Sequence, residues 1–179
     1  MNGVAGKMNK IIRYGNFEVN PEWHDELNLK MLQDSLCGME LAKETEHKYK
    51  RYQKAGYTTH NIRFRVADCN NPPNGPWKHA QCMLIDQGPG NMLPIHVDEL
   101  EPYRKKYNLE TLWQNLIFLE DWKCGQVFGV EDEVITNWKQ GDAICWKWMT
   151  EHYLVNASLT HIRLLQILSS NDPTQEIHQ

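Results

Sequence analysis

The feature that most constrains this chain is a single change of texture at Gly56. Ahead of it, Asn20-Pro21-Glu22 predicts a helix start, with a capping side chain, a proline at the first helical position and an early acid. Helical spacing continues through Trp23, Leu27 and Met31, then Met39, Ala42, Tyr49 and Tyr52. Glu44 with Lys48 and Glu46 with Lys50 are acid-to-base pairs four residues apart, as an exposed helical face favours. Gly38 divides this stretch, and Gly56 is a natural C-terminal stop.

Beyond Gly56 the pattern is strand-like to the end. Ile62, Phe64 and Val66 alternate with Arg63 and Arg65, and the stretch from His79 to Ile85 runs into the turn signal Gln87-Gly88-Pro89-Gly90. Leu112–Leu119 is a continuous apolar run, and Gln126–Val130, Val134–Trp138, Ala143–Trp148 and Ile162–Leu168 complete the series. The segment Glu101 to Asn108 suits either a short helix or an ordered loop. Helices followed by about seven short strands predict a mainly β sandwich or barrel with helical support, not a βαβ fold. The expected organisation is one domain over residues 1–179, with helical support over 20–56 and the barrel core over 60–170.

Charge and cysteine content narrow the function. A net charge of −4 builds in no general attraction to nucleic acid or an anionic membrane. The five cysteines are odd in number and none are spaced as C-x-x-C, which signals neither a disulfide framework nor a zinc ribbon. No apolar run suits a signal peptide or a membrane span, so the expected location is the cytoplasm.

The chemistry concentrates in Pro94-Ile95-His96-Val97-Asp98. On a strand, residues two apart share a face, so His96 and Asp98 can reach one metal ion. A chance His-x-Asp is expected at about 0.4 per chain of this composition, so the pair alone decides little. His24-Asp25-Glu26 competes but falls in the predicted helix, where residues two apart face roughly 200° away from each other. His152 lies 56 residues beyond His96, after the strand that holds Trp146 and Trp148. Together the three supply two imidazoles and a carboxylate, the donor set of non-haem iron(II) sites with open positions. Arg163 follows 11 residues after His152 and shares a strand face with Leu165 and Ile167. If that face is the barrel interior, its charge needs an anion, which a guanidinium meets bidentately. The alternative turns Arg163 outward and Leu164, Gln166 and Leu168 inward. The inward arginine is the expectation, because a buried Gln166 would also need a partner.

His96-Val97-Asp98, then His152, then Arg163 resembles the metal- and cosubstrate-binding motif of the Fe(II)/2-oxoglutarate-dependent dioxygenases. Asn115–Trp122 with Gly125, and Trp138–Asp142 running into Trp146, His152 and Asn156, look like small bacterial and phage-encoded members. The resemblance covers Leu93 to Ile167, about half the chain, and departs from some relatives at Gln126, where they carry a histidine. It implies a double-stranded β-helix, a jelly-roll barrel, with Fe(II) on His96, Asp98 and His152. It further implies 2-oxoglutarate chelating the metal with its distal carboxylate on Arg163, ascorbate in a supporting role, and hydroxylation or oxidative demethylation of a substrate. Asn115 and Gln81 are candidates to help bind the cosubstrate from neighbouring strands, and equally plain sheet residues. The expected partner is a small-molecule or peptidyl substrate and not a nucleic acid, since Ser169 stands where nucleic-acid demethylases of the superfamily carry a second arginine. The alternative function is a cupin-like metal- or ligand-binding jelly roll without oxygenase activity. Neither the substrate nor the oligomeric state is written in any motif.

Overall fold

The computed structural model describes residues 11–24, 65–69, 73–78, 80–98 and 100–175. Ten strands are present among them: β1 (Ile12–Asn16), β2 (Arg65–Asp68), β3 (Gln81–Gln87), β4 (Met92–His96), β5 (Trp113–Phe118), β6 (Gln126–Val130), β7 (Glu133–Ile135), β8 (Asp142–Lys147), β9 (His152–Asn156) and β10 (Ile162–Ser169). They form two sheets, of order β1-β8-β5-β10-β3-β2 and β4-β9-β6-β7. The segment 101–108 resolves into a short helix, Glu101–Lys106.

The pairing defines the architecture. Counting from β3, the first strand pairs antiparallel with the eighth (β3 with β10), the second with the seventh (β4 with β9), the third with the sixth (β5 with β8) and the fourth with the fifth (β6 with β7). Lateral pairs of β10 with β5 and β9 with β6 join the nested strands into the two sheets. One long antiparallel hairpin rolled on itself in this way is a double-stranded β-helix, or jelly roll. Strands β1 and β2 add an edge to each side of the larger sheet.

Alternation along the strands builds two apolar layers. Leu116, Phe118, Ile144, Trp146, Ile162 and Leu164 of the larger sheet meet Phe128, Val130 and Leu154 of the smaller one inside the barrel. The opposite face of the larger sheet, with Leu84, Ile117, Leu165 and Ile167, is covered by Trp23, which is 2% exposed, and by Tyr14, Phe17 and Trp77. The expected helix start is present: the Asn20 side-chain carbonyl accepts from the Glu22 amide at 3.0 Å, and residues 21–24 are helical. The rest of the expected helical support, from residue 25 to 56, lies outside the described residues. Cys69, Cys82 and Cys145 are buried and free, as small apolar residues, while Cys124 is exposed. Among the described residues no helix is long and apolar enough to cross a membrane.

The outer layer is pinned at Gly141. Its φ is +87°, and a Cβ there would collide with the Phe17 carbonyl oxygen. The same backbone accepts from the Phe17 amide at 2.8 Å and donates to the Phe118 carbonyl at 2.7 Å. Gly141→Ala is therefore expected to cost about 1–3 kcal/mol in urea unfolding, by left-handed strain and the lost approach of residues 16 and 17. An unchanged midpoint would contradict this account of how the outer layer is held.

Candidate metal centre

The centre grows out of the β4–β9 pair. His96 closes β4 and His152 opens β9, and the two are cross-strand partners. Between Leu93 and His96 the register shifts, at Pro94 and Ile95, where proline has no amide to give the ladder. This bulge turns the Pro94 carbonyl onto His96 Nδ1, at 2.7 Å. On the other strand His152 Nδ1 meets the Thr150 carbonyl at 3.1 Å, in the turn where Met149 adopts φ +69°. Asp98 lies two residues past β4, and the Trp148 indole donates to its carbonyl at 3.1 Å. Arg104 of the short helix lies over the Trp148 ring, 5.8 Å from its centroid.

A carbonyl only accepts, so both Nδ1 atoms carry the ring proton and both Nε2 atoms are left as lone pairs. Those Nε2 atoms face the Asp98 carboxylate, at 3.3 Å from His96 and 3.5 Å from His152. Lone pairs facing carboxylate oxygens repel unless each imidazole takes a second proton or a cation lies between them. Burial alone would raise the Asp98 carboxyl, but when the two rings carry a second proton, hydrogen bonds and charge from His152 and His96 outweigh burial and hold it well below the usual carboxylate range. The three ligand atoms lie within 4.8 Å of one another. Adjacent ligands on an ion with bonds of ~2.1 Å stand about 3 Å apart, so a small contraction closes the set on a divalent cation. The donors fit such an ion, and their grouping on one side leaves coordination positions open.

The wall beside the triad is unusual in its polarity. Gln166 on β10 donates to the Gln114 side-chain carbonyl at 2.8 Å and reaches Asp98 Oδ2 at 3.5 Å. Asp98 accepts only, so the Gln166 amide nitrogen must face it, and the Gln114 nitrogen is then directed elsewhere. Gln114 Nε2 and the neighbouring Trp146 Nε1 are buried with no hydrogen-bond partner. Each such orphan donor costs about 1–3 kcal/mol. The Trp146 ring centroid is 5.2 Å from that of His152.

The cosubstrate residues expected from sequence are not all brought to this place. Arg163 is corrected: it lies on the outer face of β10, not in the barrel. There its Nε donates to Asp86 at 3.2 Å, and its Nη1 lies 3.2 Å from His24 Nδ1 and 3.6 Å from Glu120. Asp86 is 1% exposed and also contacts His161 Nδ1 at 3.0 Å. Strand parity explains the difference. Leu164 packs inside the barrel and Gln166 faces Asp98, so the even residues point inward and Arg163, Leu165 and Ile167 outward. Gln166 had been discounted as a polar group needing a partner, and Gln114 and Asp98 supply one. Asn115 faces outward as well, donating to the Ile167 carbonyl at 2.9 Å and Ser169 Oγ at 3.0 Å. Gln81 is exposed, in the inward row that runs through Leu168 and Gln114 to Trp146. Gln126 binds the β9–β10 connection through Ser158, Thr160 and the His161 carbonyl, at the end of the smaller sheet away from His152. Sequence reasoning missed Gln114 and Gln166; once β5 and β10 are set side by side, both fall on the face of Leu116 and Leu164.

No protein-family model matches the chain, and none of the curated proteins matches it. Solved structures with a similar course of chain are cupins and relatives. The cupin domain of Cnp3 from Schizosaccharomyces pombe has 9% identity and a TM-score of 0.42, over 65% of this chain and 69% of that one. A protein of Thermotoga maritima described as a predicted oxalate decarboxylase has 15% identity and a TM-score of 0.42, over 61% and 82%. KdgF from Halomonas sp. has 12% identity and a TM-score of 0.41, over 63% and 83%. The jelly-roll assignment rests on the strand pairing itself.

The position of Arg163 gives a direct expectation. Arg163→Ala should lower stability by about 1–3 kcal/mol, since the buried Asp86 loses a donor, and should leave metal affinity unchanged by calorimetric titration. A loss of metal binding with stability intact would place Arg163 back at the centre.

Proposed function

We propose that this chain is a mononuclear iron(II) oxygenase that uses 2-oxoglutarate as cosubstrate. The single observation that carries the reading is the convergence of His96 Nε2, His152 Nε2 and Asp98, with both Nδ1 atoms already committed to carbonyls. Two imidazoles and one carboxylate are the donor set of oxygen-activating non-haem iron. Iron(II) bound there supplies the activation of dioxygen, and the overall change converts 2-oxoglutarate, dioxygen and a C–H bond into succinate, carbon dioxide and a C–OH group.

The chain's own residues do the rest. The Pro94 and Thr150 carbonyls fix each imidazole's tautomer and tilt, so the ligands need little reorganisation on binding metal. Trp148 holds the Asp98 backbone, and Trp146 with the apolar barrel interior excludes water from the inner side. The exposed Ile95 and Met149 stand next in chain to the ligand-bearing segments and offer apolar surface to a substrate. A small-molecule or peptidyl substrate in the cytoplasm agrees with the net charge of −4 and with the free, buried thiols.

The outward Arg163 favours a second reading, a metal-binding jelly roll of the cupin kind without oxygenase chemistry. Anaerobic titration separates the two. With Fe(II) and 2-oxoglutarate, the wild type is expected to develop a visible metal-to-ligand charge-transfer band and, on exposure to oxygen, to form succinate. His152→Ala and Asp98→Ala should each weaken iron binding by more than about 100-fold and abolish the band. Tight iron binding with neither band nor succinate would overturn the oxygenase reading in favour of the second.

A further inference from the structure

Two buried donors next to the triad have no acceptor among the described residues. Gln114 is 0% and Trp146 1% exposed, and they are direct cross-strand partners on the inner faces of β5 and β8. Their orphan atoms are both N–H groups, Gln114 Nε2 and Trp146 Nε1. Among the described residues the other two orphans are acceptors placed elsewhere. Asn115 Oδ1 belongs to the outer face, and Gln87 lies at the far end of β3, six residues from the Gln81 that shares a row with Gln114. The donor pair is tied to the centre on both sides. Trp146 packs against His152, and Gln114 is held by Gln166, which contacts Asp98. The amide chain from the Asp98 carboxylate through Gln166 to Gln114 is directional, because an acceptor at its start leaves a donor at its end.

Charge sets what these donors receive. A divalent cation with Asp98 and two neutral imidazoles carries one net positive charge, and Arg163, on the outer face, brings no further cation to the interior. One carboxylate neutralises that charge, and its oxygens accept hydrogen bonds from N–H donors. We infer that Gln114 and Trp146 form the anchor for the metal-bound carboxylate of the ligand, a different carboxylate from the distal one that the family resemblance assigns to Arg163. The inference rests on the metal site of the proposed function, and it names 2-oxo acids as the ligand class.

The test uses the Co(II)-loaded full-length protein, whose visible absorption reports ligands entering the metal's coordination. Gln114→Met removes one orphan donor without adding charge, and Trp146→Phe removes the other. Each is expected to leave Co(II) affinity within about twofold and to raise the Kd of 2-oxoglutarate by about tenfold or more, the worth of one good charge-assisted hydrogen bond. A Kd for 2-oxoglutarate within about twofold of wild type in both variants overturns the anchor and means that the donors meet only a buried water. If wild-type Co(II) protein ignores 2-oxoglutarate, the cosubstrate assignment falls, and pyruvate becomes the probe. Weaker pyruvate binding in Gln114→Met or Trp146→Phe then still upholds the anchor, whereas equal binding or none overturns it.

Discussion

Two imidazoles and a carboxylate are held face to face in a way that only a positive charge can reconcile. His96 and His152 each spend Nδ1–H on a carbonyl two residues upstream, Pro94 or Thr150. That commitment aims both Nε2 lone pairs at Asp98. With a cation between them, all three groups become ligands at once. The neighbouring structure is organised around keeping that geometry, from the bulge at Pro94 and Ile95 to the Trp148 bond that restrains Asp98.

The jelly roll makes the site possible by bringing distant segments together. Nesting the second strand against the seventh sets residues 96 and 152 opposite each other, although 55 residues separate them in the chain. Nesting the third against the sixth sets Gln114 beside Trp146, and the eighth strand delivers Gln166 to both Gln114 and Asp98. The metal donors thus come from the smaller sheet and the loop after β4, and the polar wall from the larger sheet. A rigid two-sheet scaffold with its chemistry at one rim suits an enzyme whose substrate is chosen by the loops.

Much of this was legible in the sequence. Strand β6 begins and ends as the sequence predicts, β5 and β8 depart by a residue at each end, and β10 runs one residue further. The grouping of His96, Asp98 and His152 was legible because ligand chemistry restricts residue type; the strand spacing expected for Asp98 is not what brings it in, since β4 ends at His96 and Asp98 lies in the loop beyond. Strand β9 was not, since its inward residues are His152, Leu154 and Asn156 while Tyr153 and Val155 lean outward. There the apolar pattern is inverted by His152, turned toward Asp98, and by the Asn156 hydrogen bonds to the Gln87 and Thr160 carbonyls. Arg163 failed for a related reason. Alternation gives which residues share a face but not which face is inside, and both faces of β10 are buried under separate apolar layers. The deciding information was the partner of Gln166, which lies on another strand. The support expected over 20–56 is seen only at its start, where Asn20 caps the helix and Trp23 is buried in the outer layer.

The central claim is that one metal ion is held by two imidazoles and one carboxylate. X-ray absorption at the iron edge of the Fe(II)-loaded protein tests it most directly. The expected spectrum shows iron bound by two imidazole nitrogens and oxygen donors at about 2.0–2.2 Å, and no sulfur. A sulfur shell near ~2.3 Å, fewer than two imidazoles, or iron present without fixed protein ligands would contradict it.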